Sequence, residues 1–135
     1  MMKEQLMEQA KCAMQSAYAP YSGYKVGAAL LCIDGAVYTG CNIENASYGA
    51  TNCAERTAFF KAVSEGKREF AAIAICGGKD GVVKDTFPPC GVCRQVMREF
   101  CKDDFKIYLL NGKETESYTL GELLPLSFAK GNLAK

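Results

Sequence analysis

The chain has 135 residues, 49% of them hydrophobic, with 16 basic and 15 acidic side chains and a net charge of +1. That length suits one domain with a real core, and the balanced charge argues against a nucleic-acid backbone as partner, which would need a basic face. Histidine is absent and cysteine occurs eight times, which excludes Ser-His-Asp and Cys-His nucleophile systems, HExxH metalloproteases and any histidine general base.

Residues 3–18 place Leu6, Ala10, Ala13, Met14 and Ala17 at helical spacing, with Pro20 just beyond, which predicts a first helix. Charges run throughout this stretch, so it lacks the apolar core of a signal peptide. No uncharged apolar run of about 18 residues occurs anywhere, so no membrane span is expected. The expectation is a soluble cytoplasmic protein. Residues 24–33 (YKVGAALLCI) and 36–43 (AVYTGCNI) flank Asp34-Gly35, a strong signal for an antiparallel hairpin. Residues 44–52 are small and polar and predict a loop.

A helix is expected from about Cys53 to Ser64, ended by Gly66. The near-continuous apolar run 70–76 (FAAIAIC) predicts a strand buried on both faces. Residues 77–89 read as a Gly- and Pro-containing loop, and Cys90 to Cys101 as another helix. Residues 105–110 (FKIYLL) form the next expected strand, before an Asn111-Gly112 turn. Residues 120–124 suggest a short last helix, followed by a tail containing Phe128. This order implies a three-layer α/β arrangement around a mixed sheet, in a single domain spanning 1–135.

Two segments carry chemistry: Cys53-Ala54-Glu55, and Pro89-Cys90-Gly91-Val92-Cys93. Zinc takes thiolate ligands in tetrahedral geometry, and a catalytic zinc keeps one position for water. Cys90 and Cys93 are three apart at a helix start and share a face, with Cys53 brought in from the start of another helix as the third ligand. Glu55 is the natural proton carrier, because Cys53 can point off the helix end while Glu55 projects from the first turn. Helix N-termini also stabilise thiolates. Three thiolates and Zn²⁺ sum to −1, which weakens the ion as an acidifier of water. Arg56 and Arg94 are the candidates to compensate, and Arg56 is favoured. Spacing alone leaves open a structural zinc with Cys76 or Cys101 as fourth ligand, or a redox dithiol.

The segments YAPYSGYKVGAAL, GCNIENASYGATNCAERTA, TNCAERTAFFKAV, PPCGVCRQVMREF and ELLPLSF together resemble the small cytidine deaminases that act on free nucleosides. The likeness runs from about residue 11 to residue 128. It implies a three-layer α/β/α fold with a mixed central sheet of about five strands, and one zinc per chain on Cys53, Cys90 and Cys93. It implies that Glu55 takes a proton from the water attacking C4, passes it to N3 and later helps load the departing amine. The expected reaction converts cytidine and deoxycytidine to uridine and deoxyuridine plus ammonia, a step of pyrimidine salvage.

The resemblance also assigns substrate contacts. Asn42 and Glu44 match positions that bind a ribose hydroxyl, although an asparagine there also suits plain turn hydrogen bonds. Tyr24 stands where the family commonly packs a phenylalanine on the base, so this chain adds a hydroxyl. Phe128, Ala46 and Tyr48 match positions that reach a neighbouring subunit's site, which implies a homotetramer with shared active sites. Gln95 follows Arg94 in the match and receives no catalytic role. Ala54, Ala58 and Ala62 lie four apart and are expected to pack in the core. The rival activities are a related deaminase acting on blasticidin S and a non-catalytic zinc-stabilised binding protein.

Overall fold

The computed structural model describes residues 1–133, so the last two residues of the expected domain, 134–135, lie outside the described residues. A five-stranded sheet runs in the order β2-β1-β3-β4-β5, with β1 at Tyr24–Cys32, β2 at Val37–Cys41, β3 at Phe70–Lys79, β4 at Lys106–Leu110 and β5 at Thr115–Thr119. Every neighbouring pair is antiparallel except β3 and β4. A parallel pair needs a crossover, and α3 (Gly91–Phe100) lies in that connection.

The pleat sorts the central strands by size. Ala29 of β1 and Ala72 and Ala74 of β3 face α1 (Lys3–Met14), where Leu6, Met7, Ala10 and Met14 pack on them. Ala28, Leu30, Ile73 and Ile75 face the opposite way, onto Ala58, Phe59 and Ala62 of α2 (Ala54–Ser64) and Met97 of α3. Successive strand residues point to opposite faces, so both faces are covered and the three expected layers are present. Ala54, Ala58 and Ala62 are all fully buried, as core packing requires. No helix among the described residues is long and apolar enough to cross a membrane.

Two glycines set how closely the helices approach. A Cβ on Gly27 would stand 2.0 Å from the Ala10 carbonyl oxygen of α1. A Cβ on Gly40 would stand 2.5 Å from the Ala54 carbonyl oxygen and 2.7 Å from the Ala58 nitrogen. Gly40 thus lets the first turn of α2 lie directly on β2.

Apart from shifts of one or two residues at other element ends, three elements differ from the sequence reading. Helix α1 stops at Met14 rather than residue 18. The Tyr18 backbone is drawn off to Asn42 and Ile43, donating to the Asn42 carbonyl at 3.0 Å, and the residue before Pro20 resists helical geometry. Strand β3 runs on through Gly77 and Gly78 to Lys79, which pair with Val26, Lys25 and Tyr24. Glycines are depleted in strands, which hid this extension. Strand β5, TESYT, carries no apolar run and went unseen in the chain order, because an edge strand need bury little. The short last helix, α4, spans Leu120–Leu123. Thr119 and Glu122 close a capping box at its start.

Candidate metal centre and active site

Cys53 and Cys90 are the N-cap residues of α2 and α3. Each already accepts the first helical bond through its carbonyl, from Thr57 and Arg94, both at 3.0 Å. Neither side chain caps its own helix, which leaves both sulfurs free to meet each other, and Cys93 sits in the first turn of α3. The Cys53 and Cys90 sulfurs are 3.8 Å apart, those of Cys90 and Cys93 are 3.5 Å apart, and all three lie within 4.8 Å of one another.

A tetrahedral zinc with Zn–S bonds of about 2.3 Å places its sulfurs about 3.8 Å from one another. A disulfide would require about 2.05 Å. The three sulfurs therefore fit a zinc ion. Among the described residues no fourth His, Cys, Asp or Glu joins this group. Cys76 is buried under α1, and Cys101 follows the last residue of α3, so neither supplies a fourth ligand.

Glu55 follows two residues after Cys53 and lines the same cavity as Cys53 and Cys90. It is 4% exposed. Burial pushes its carboxyl up to about 7, with the Cys53 thiolate adding to the rise. Cys53 moves the other way. A hydrogen bond from Cys93, then one from Arg56, hold its thiol down at about 5, while Cys93 is raised in exchange. Arg56 Nη2 donates to Cys53 Sγ at 3.1 Å. Its Nε is buried without a partner among the described residues. Arg94 instead donates to the carbonyls of Pro89 and Leu123, at 2.8 and 2.6 Å. Of the two arginines, Arg56 is the one beside a ligand sulfur.

The cavity measures about 330 Å³. Asn42, Glu44 and Tyr24 all line it. Asn42 is 9% exposed and is engaged by β1: its Oδ1 accepts from Val26 N–H and its Nδ2 donates to the Tyr24 carbonyl, both at 2.8 Å. Each of these groups keeps one further hydrogen-bonding position. Glu44 Oε1 accepts from the Tyr21 and Ser22 backbone, at 3.0 and 3.1 Å, and Oε2 accepts from the Ser22 hydroxyl.

Ala46, Tyr48 and Phe128 are not brought to this cavity within one chain. All three are exposed, Tyr48 by 76% and Phe128 by 61%. Gln95 Nε2 donates to the Phe128 carbonyl at 2.8 Å. The sequence reading missed Phe87, Asn52 and Ser22, which also line the cavity. The Phe87 ring lies 6.1 Å from that of Tyr24 at an angle of 42°. Its only trace in the sequence is its place just ahead of the Pro88-Pro89-Cys90 segment.

Residues 1–109 match the sequence model described as the cytidine and deoxycytidylate deaminase zinc-binding region. The chain is 52% identical over 132 residues to a cytidine deaminase of Sporosarcina psychrophila, covering 97% of this chain and 94% of that one. It is 53% identical over 127 residues to a cytidine deaminase of Halalkalibacterium halodurans, covering 93% of each. A crystal structure of cytidine deaminase from Burkholderia pseudomallei superposes with a TM-score of 0.88 at 50% identity, covering 95% of this chain and 100% of that one. Sequence, fold and sulfur geometry converge, and the chain belongs to the cytidine and deoxycytidylate deaminase zinc-binding family.

Proposed function

We propose that this protein hydrolyses the C4 amino group of cytidine and deoxycytidine, giving uridine or deoxyuridine and ammonia. The observation that carries this reading is the tetrahedral spacing of the Cys53, Cys90 and Cys93 sulfurs beside a buried Glu55. A zinc ion on these sulfurs supplies a Lewis acid and an acidified water.

Glu55 is the proton carrier. Buried beside the three sulfurs and lining the same cavity, its carboxyl is placed to serve as base and then as acid. It removes a proton from the water that attacks C4 and delivers it to N3. It then takes the proton of the new C4 hydroxyl and passes it to the amino group, so that the C–N bond breaks and ammonia leaves. Arg56 offsets the net negative charge of three thiolates and one divalent cation. Asn42 and Glu44 hold the sugar through the hydrogen-bonding positions their structural partners leave unused. Tyr24 packs against the base, and its hydroxyl distinguishes that wall from a phenylalanine.

The exposure of Ala46, Tyr48 and Phe128 supports a homotetramer in which these residues complete a neighbour's site. The remaining parts of the reading are one deaminase domain across 1–135, a cytoplasmic location and a role in pyrimidine salvage. The test compares cytidine, deoxycytidine and blasticidin S as substrates of the purified zinc protein. Loss of cytidine absorbance with stoichiometric uridine supports the reading. Turnover of blasticidin S alone, or no turnover of any of the three, overturns it.

A further inference from the structure

Lys79 closes β3 opposite Tyr24 in the β1–β3 ladder. Its ammonium reaches back over the preceding turn, donating to the Ser22 carbonyl at 2.7 Å and standing 5.3 Å from the centre of the Tyr24 ring. The next residue, Asp80, donates its backbone N–H to the Gly23 carbonyl at 2.7 Å. Gly23 has a φ of 75°, and a Cβ there would lie 2.8 Å from Lys79 Nζ. Glycine therefore serves both the left-handed backbone and the passage of the lysine.

The turn so fastened carries two cavity walls. The Ser22 hydroxyl donates to Glu44 Oε2 and accepts from the Tyr24 N–H at 3.0 Å. The Tyr21 and Ser22 N–H groups hold Glu44 Oε1. Ser22 thus ties the carboxylate assigned to the sugar to the ring assigned to the base. Lys79 does not itself line the cavity.

We infer that Lys79 is a positioning residue for nucleoside recognition: it pins the Ser22–Tyr24 turn, so that Glu44 and Tyr24 meet the sugar and the base in one fixed arrangement. This rests on the deaminase reading for the identity of the ligand. The lysine acts on binding and not on the proton transfer at Glu55, because its ammonium meets the Ser22 carbonyl and the Tyr24 ring and its charge acts on Glu44, not on Glu55. A charge-assisted hydrogen bond to a carbonyl, with an ammonium over an aromatic face, is a large enough interaction for its loss to be read in affinity.

The test uses the zinc-loaded protein and the variants Lys79→Met, Lys79→Gln and Lys79→Arg. KM and kcat are measured for cytidine and for 2′,3′-dideoxycytidine, and uridine affinity is measured by calorimetry. Lys79→Met and Lys79→Gln are expected to raise the KM for cytidine and weaken uridine binding about tenfold. Zinc content should be unchanged and kcat should stay within about twofold. Lys79→Arg should restore binding, and dideoxycytidine, lacking the sugar hydroxyls, should be affected less than cytidine. A KM and uridine affinity that do not change, or a fall in kcat at constant KM, overturns the inference. Weakened uridine binding in Lys79→Met and Lys79→Gln, together with a wild type that leaves cytidine intact, overturns the deaminase reading alone. A wild type that binds no nucleoside overturns both.

Discussion

Cys53 and Cys90, 37 residues apart in the chain, occupy the N-cap positions of two different helices, and their sulfurs stand 3.8 Å from each other. With Cys93 at 3.5 Å from Cys90, they bring the starts of α2 and α3 to one point. Helix N-termini favour negative charge, and the fold turns two of them toward this one cluster of sulfurs.

The metal-free protein should reveal this through its thiols. Cys53 is held down by Cys93 and Arg56 beside it, while buried Cys76 and Cys101 are pushed up to about 11 and 12. Brief alkylation of chelator-treated protein at pH 6, followed by peptide mass mapping, is expected to label Cys53 ahead of Cys76 and Cys101. Stoichiometric zinc should protect it.

Glu55→Gln keeps the shape of the side chain and removes its proton chemistry. Turnover should fall by roughly 10²–10⁴-fold with one zinc per chain retained. The same variant reports the buried charge. The folded pKa of Glu55, about 7, lies above its ordinary 4.5, so the stability it contributes is full below pH 4.5 and lost as pH rises through 7. Metal-free Glu55→Gln should therefore gain on metal-free wild type above pH 7, by up to about 3 kcal/mol. The advantage should vanish toward pH 4.5, and thermal unfolding across this range checks it.

Arg56→Gln removes the guanidinium that donates to Cys53 Sγ at 3.1 Å. The thiol of Cys53 should rise and turnover of the zinc protein should fall by about tenfold, the equivalent of one charge-assisted hydrogen bond. A fully active Arg56→Gln protein would remove the charge-compensation argument.

Gly40→Ala tests the seating of α2 on β2. The added methyl meets the Ala54 carbonyl oxygen at 2.5 Å and the Ala58 nitrogen at 2.7 Å, both backbone atoms that no side-chain rotation relieves. Overpacking of this kind typically costs about 1–3 kcal/mol. Thermal unfolding should show a lower midpoint, and because Cys53 caps this helix, zinc should leave the variant faster during chelator competition.

Much of the site could be read from the chain because its chemistry is local. Cys53, Glu55, Cys90 and Cys93 sit in two short segments at helix starts, and a helix start fixes where such side chains point. The central strands were equally plain, since FAAIAIC carries its burial in its composition. What escaped depends on distant partners. The last turn predicted for α1 gives way because Tyr18 finds Asn42 and Ile43. Strand β5 is polar because it lies at an edge, and β3 continues through two glycines because β1 continues beside it. Asn42 binds the β1 backbone, and Ser22 bridges Glu44 to Tyr24. No spacing within the sequence announces those pairings.

Adding zinc stepwise to metal-free protein, while following loss of cytidine absorbance, tests the centre most directly. Activity is expected to rise linearly and level off at one zinc per chain, with Glu55→Gln taking up the same single equivalent and remaining nearly inert. Full activity before zinc is added, or a chain that binds its one zinc and leaves cytidine untouched, would contradict the account.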